Sequence, residues 1–254
     1  MKSQTENRIL TAIVTGASTG IGYAITQCFL DEGMNVIMNA RSQADLVTAY
    51  ESLGSPRNAA YIAGNVAKKE TGAGLVAKAI QEFGGVDILI NNAGVFNPKP
   101  FLDTEEADLD HFFSINFKGA YFTAQAAVPE IKKRGGGSIV NIGTTLLEHA
   151  IAGFPASGAV ASKAALHSLT EQLAAELGQD NIRVSTIATG IIDTPLHTKQ
   201  GIDDANNLAG LHLLNRIGTP ENMADAVAML VNNDFITGTT LRVDGGHAAG
   251  HRFG

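Results

Sequence analysis

A short apolar run broken by three glycines, residues 9–22 (ILTAIVTGASTGIG), narrows the folds open to this chain more than any other stretch. Ile9, Leu10, Ile13 and Val14 read as a strand covered on both faces, and Ile21, Ile25, Cys28 and Phe29 then recur at helical spacing. Between strand and helix, Gly16, Gly20 and Gly22 let the backbone turn sharply and come close to a ligand. The free N–H groups of the first helical turn, at the positive end of the helix dipole, favour an anion there. The spacing is GxxxGxG, which also suits a plain strand-to-helix turn, so the remainder of the chain has to decide.

The strand-then-helix alternation continues. Apolar strands over residues 36–38, 59–63, 86–90, 138–142, 182–187 and 239–243 are separated by helical periodicity over 42–53, 68–83, 104–133, 157–177 and 220–231. This predicts an α/β fold: a single Rossmann-like, doubly wound domain over residues 1–254, with a seven-stranded parallel sheet and helices on both faces. In such sheets ligands sit beyond the carboxyl ends of the strands. The polar motifs collect there: the glycine loop after strand one, Asn91-Asn92-Ala93-Gly94 after strand four, Gly143-Thr144-Thr145 after strand five, and residues 189–194 after strand six.

Composition removes several functions. A formal charge of −7 argues against a general nucleic-acid binder, and the basic cluster Lys132, Lys133 and Arg134 closes a helix, where positive charge suits the dipole. The single cysteine, Cys28, permits no internal disulfide and reads as packing in a reducing compartment. No metal site is expected. The polar start MKSQTENR and the lack of any apolar run of membrane length predict a cytoplasmic protein.

With TGASTGIG (residues 15–22), NNAG (91–94), Asn116 within a helix, SKAAL (162–166) and TGTTLRVDGGH (237–247), the chain resembles the short-chain dehydrogenase/reductases over nearly its whole length. Among them it is similar to the branch of 3-oxoacyl-carrier-protein reductases. The resemblance implies an oxidoreductase that moves a hydride between nicotinamide and a small carbonyl or alcohol substrate, in a homo-oligomer, tetramer or dimer. It implies cofactor contacts from Gly16, Ser18, Thr19, Gly20, Ile21 and Gly22, from Asn65 and Val66 near adenine, and from Asn92, Ala93 and Gly94 near the adenosine ribose. Gly190, Ile192 and Thr194 would hold the carboxamide and phosphate end, and Lys163 the nicotinamide ribose. Charge favours NADP(H): the position that carries an acid for NAD is Ala40, followed by Arg41, which suits a 2′-phosphate.

The catalytic positions carried over are Asn116, Thr144 (or Thr145) for the family's serine, and Lys163. The family's tyrosine, four residues before the lysine, is replaced by Ala159. That removes the proton donor to the developing alkoxide and leaves water, Lys163 or His149 as substitutes. Two readings follow, an NADP(H)-dependent oxidoreductase with an altered or disabled proton donor, and an NADP(H)-binding homologue that acts as sensor or inert partner. A segment over 195–215, resembling the family's substrate lid, favours the first; its Leu196, Leu208, Leu211, Leu213 and Leu214 suggest a pocket wall or simply pack the lid down.

Overall fold

Among the residues that the computed structural model describes, 8–196 and 204–250, seven strands form one parallel sheet in the order β3-β2-β1-β4-β5-β6-β7. They are β1 (Thr11–Thr15), β2 (Asn35–Ala40), β3 (Ala59–Ala63), β4 (Ile88–Asn91), β5 (Gly137–Ile142), β6 (Ile182–Thr189) and β7 (Thr240–Val243). After β3 the chain crosses back over β1 to lay down β4, so the winding direction reverses between β1 and β4. The glycine loop leaves β1 at this switch point.

Strand alternation sends neighbouring residues to opposite faces. Ala12, Val14, Val36, Met38 and Ile90 pack against α1 (Gly20–Asp31), α2 (Gln43–Ser52) and α7 (Pro220–Asn232). Ile13, Ile37, Leu89 and Ile139 pack against α3 (Lys69–Phe83), α5 (Ala120–Lys133) and α6 (Ser157–Leu177). Fully buried anchors such as Ile25 and Phe29 of α1 contribute about 1.5–3 kcal/mol each. Local chemistry sets the helix starts: Ser42 accepts from the Asp45 N–H, and Thr219 and Asn222 form a reciprocal cap with Pro220 at the first helical position.

Three boundaries differ from the expected ones. β1 starts at Thr11, and Ile9, expected inside it, is 60% exposed. β4 starts at Ile88, and the side chain of the preceding Asp87 pairs with Arg8 and Arg134 and accepts from the Thr11 N–H at 2.9 Å. The long helix expected over 104–133 is divided into α4 (Glu106–Phe112), a π-helical segment (Phe113–Gly119) and α5. Its buried Asn116 is tied to other parts of the chain, a constraint that apolar spacing does not reveal. The basic cluster does close α5: Lys132 pairs with Asp180, Lys133 with Glu130 and Arg134 with Asp87. Cys28 is half-buried against the core, and burial followed by the Glu32 carboxylate raises its thiol pKa, as suits packing.

Candidate functional site

Thr15, the last residue of β1, bolts the switch point together. Its hydroxyl donates to the Ile90 carbonyl at 3.2 Å and accepts from the Asn92 and Ala93 N–H groups at 3.0 Å each. The Asn92 amide then donates to the Thr15 and Gly16 carbonyls at 2.9 and 3.1 Å. Two sequence-predicted sites, the glycine loop and NNAG, are thereby one unit.

Only glycine fits this unit. Gly16 has φ +66°, and a Cβ there would lie 2.8 Å from Asn92 Nδ2; a Cβ on Gly22 would fall onto the Gly16 carbonyl and 2.5 Å from Asn92 Nδ2. Thr19 caps α1 in extended conformation without a side-chain bond to the first turn, which leaves those N–H groups to serve an anion. Thr194 lies over Gly20, its Cγ2 3.1 Å from where a Cβ would stand, so the loop after β6 covers the loop after β1. Ser18 flanks this loop, and Ile21 packs on the core. At the neighbouring strand ends Ala40 is buried and Arg41 exposed. Asn65 Oδ1 accepts from the Ala67 N–H at 3.0 Å, and Val66 packs on Gly119, at the end of the π segment.

A second cluster stands beyond β4 and β5. Buried Lys163 donates from Nζ to the Ile142 carbonyl at 2.6 Å, and burial holds its ammonium down to about 8. A Cβ on Gly94 would lie 3.0 Å from that Nζ and 3.1 Å from Asn116 Oδ1. Asn116 grips the Val95 peptide on both sides, accepting from its N–H at 2.8 Å and donating to its carbonyl at 2.9 Å, and also donates to Ser162 Oγ at 2.8 Å. The two threonines separate clearly: Thr145 gives its proton to the Thr189 carbonyl at 3.0 Å, whereas Thr144 only accepts, from the Leu146 N–H at 3.3 Å. Among the described residues the Thr144 hydroxyl proton has no acceptor.

Ala159 is 1% exposed, one turn before Lys163 on α6. Tyr50 and Tyr61 meet edge to face, and Tyr121 meets the Phe117 ring at a tilt and the Phe122 ring edge to face. His149 turns toward the far edge of the sheet, its ring 5.3 Å from that of His247, beside the Glu148–Arg242 ion pair.

Sequence reasoning missed the polar ladder beneath the cluster. Asn91 donates to Asn141 at 2.9 Å, Asn141 to Thr170 at 2.9 Å, and Thr170 meets Thr186 at 2.6 Å, all buried. Asn91 and Asn141 interrupt otherwise apolar strands, a signal open to a closer reading.

Of the expected lid, residues 197–203 lie outside the described residues. Ala205–Leu211 forms a 3₁₀ segment, and Leu196 is exposed. Leu213 and Leu214 line a cavity of about 570 Å³ with Ile191, Ile192, Arg216 and Asp244, on the β7 side rather than around Lys163. Among the described residues no His, Cys, Asp and Glu group could hold a metal ion, and no helix is long and apolar enough to cross a membrane.

Residues 16–248 match the family model described as Enoyl-(Acyl carrier protein) reductase. The chain is 37% identical to dehydrogenase/reductase SDR family member 4 of Bos taurus, over 92% of this chain and 86% of that one. It is 33% identical to the 3-oxoacyl-[acyl-carrier-protein] reductase of Thermotoga maritima, over 92% and 96%. A solved structure titled short chain dehydrogenase/reductase family protein superposes with a TM-score of 0.87 at 34% identity, covering 97% of this chain and 100% of that one.

Proposed function

The chain belongs to the short-chain dehydrogenase/reductase family and is an oxidoreductase that uses a nicotinamide cofactor, and from this premise we propose that it is NADP(H)-dependent, acting on a carbonyl or alcohol with an altered or disabled proton donor. The observation that carries the reading is the glycine unit at the switch point, where added Cβ atoms at Gly16 and Gly22 would collide with backbone and Asn92. A cradle closed so tightly to side chains fits the close passage of a pyrophosphate.

In this reading the N–H groups from Ser18 to Gly22, in the loop and at the start of α1, hold the pyrophosphate, and Thr194 closes over it from the β6 side. Asn92, Ala93 and Gly94 shape the ribose site, Asn65 and Val66 border adenine, and Gly190 and Ile192 present backbone to the carboxamide. Arg41 pairs with the 2′-phosphate, since no carboxylate stands at Ala40 to repel it. When bound, the cofactor supplies or takes up the hydride. Thr144 donates a hydrogen bond to the substrate oxygen, Lys163 holds ribose hydroxyls, and Asn116 fixes the Val95 loop beside Lys163. Exposed Phe101, Leu102 and Tyr121, around α4 and α5, support assembly as a homo-oligomer.

Fluorescence titration tests cofactor choice. NADPH should bind about tenfold or more tightly than NADH, and Arg41→Ala should remove that preference, one charge-assisted pair being worth about 1.5–3 kcal/mol. Equal affinities in the parent would overturn the NADP(H) assignment. The buried Ala159 favours a second reading, a cofactor-binding protein without turnover.

A further inference from the structure

His212 follows the 3₁₀ segment of the lid, yet its ring is wedged into the carboxyl end of β6. It is 2% exposed, and its Nε2 accepts from the Ile191 N–H at 3.1 Å. A Cβ on Gly190 would lie 2.9 Å from that nitrogen, and one on Gly245 3.2 Å from the His212 Cβ, so two glycines leave the imidazole its place. The Ile191 carbonyl accepts from the Gly218 N–H at 2.8 Å, and the Asp193 N–H donates to the Gly218 carbonyl at 2.9 Å. Both polar groups of Ile191 are thereby fixed, one by the backbone of a neighbouring loop and the other by a single titratable side chain.

We propose that His212 is a positioning residue: as the neutral imidazole, with Nε2 unprotonated, it holds the Gly190–Ile192 backbone in the shape that receives the nicotinamide end of the cofactor. The proposal rests on the assignment of that loop to the cofactor. A proton on Nε2 turns the acceptor into a donor facing the Ile191 N–H, which breaks the bond and charges a buried ring. Burial lowers the His212 pKa; the Ala209 carbonyl and Asp244 carboxylate favour the charged form, and Arg216 opposes it. Among the described residues, the ring is also neighboured by His247, 5.6 Å between ring centres, and beyond it by His149 and the paired Glu148 and Arg242. The folded-state pKa lies below 6.5, so the unfolded chain takes up the proton first as pH falls, and the contribution is complete above that value and lost below it.

The test compares binding of NADPH with that of 2′,5′-ADP, which lacks the nicotinamide end, between about pH 8 and about pH 5. NADPH affinity of the parent should fall about five- to tenfold on acidification relative to 2′,5′-ADP, the value of one hydrogen bond. His212→Gln keeps an acceptor at the same reach from Cα without titrating, so it should bind NADPH as the parent does near pH 8 and lose this pH dependence. His212→Leu should bind about five- to tenfold more weakly at every pH, with 2′,5′-ADP unchanged. Thermal melts confirm that each variant is folded. The same acid-side loss in the parent and His212→Gln, with 2′,5′-ADP unaffected, overturns the role of His212 while leaving cofactor binding intact. Failure of the parent to bind either ligand overturns the cofactor assignment and this proposal with it.

Discussion

Ala159 stands one helical turn before a lysine whose ammonium burial holds down to about 8. A phenol placed there would have its pKa lowered by the neighbouring cation and so become a better proton partner near neutral pH. Ala159→Tyr should therefore raise NADPH-dependent reduction of at least one of a panel of ketones, diketones and 3-oxoacyl thioesters by about 10²-fold or more, the lower end of what a general acid supplies. A fall in turnover would show that the natural reaction uses the small side chain. Lys163 carries its own pH signature: its folded-state value is below the unfolded 10.5, so between pH 8 and 10.5 the unfolded chain holds the extra proton. Stability contributed by this group rises with pH across that window. In urea unfolding the parent should gain on Lys163→Gln over the same range, and a pH-independent difference would contradict the buried cation. Ala159 and Lys163 were legible only through the family resemblance, whose tyrosine and lysine lie one helical turn apart, so that both positions could be placed without tertiary information. His212 was not, since its partner Ile191 lies 21 residues away in the chain.

At the level of elements, the glycine loop and the NNAG turn were readable separately, but not the threonine that fastens them. Thr15 opens the TGASTGIG stretch, but it acts across a 75-residue separation to Ile90, and the stretch by itself does not name that partner. The π segment is invisible to apolar spacing, and only the family resemblance, which implies that Asn116 opens its helix locally, points to it. It widens one turn around Asn116 while the apolar spacing on either side still reads as a single helix. Glycines in the same fold give a controlled comparison. Gly22→Ala puts a methyl group onto the Gly16 carbonyl, so it should destabilise by about 1–3 kcal/mol and abolish measurable NADPH binding. Gly33→Ala meets open space but has φ +79°, so it should cost about 1 kcal/mol and leave binding unchanged. Urea denaturation with fluorescence titration separates the two, and intact NADPH binding in Gly22→Ala would remove the loop from the cofactor site.

For the whole molecule, the sheet divides labour between its two ends. The carboxyl ends carry the glycine unit and the Lys163 cluster, while at the amino ends Asp87, 2% exposed, joins Arg8, Arg134 and the Thr11 N–H. That lower clamp ties β1, the approach to β4 and the end of α5. Asp87→Ala strips a buried acceptor from all three partners; both arginines retain solvent contact, which limits the penalty to about 2–3 kcal/mol rather than the upper range for a buried pair. Because Asp87 and the cofactor loops lie at opposite ends of the strands, the two effects should add. NADPH at about a hundredfold excess over its Kd should raise the unfolding free energy of parent and variant alike by about 2.7 kcal/mol, so ligand should nearly restore the variant to the stability of the unliganded parent. Urea unfolding of both proteins with and without NADPH measures all four states. A ligand increment much smaller in Asp87→Ala than in the parent would show that the lower clamp also shapes the site, and that the sheet transmits strain along the whole length of β1 and β4.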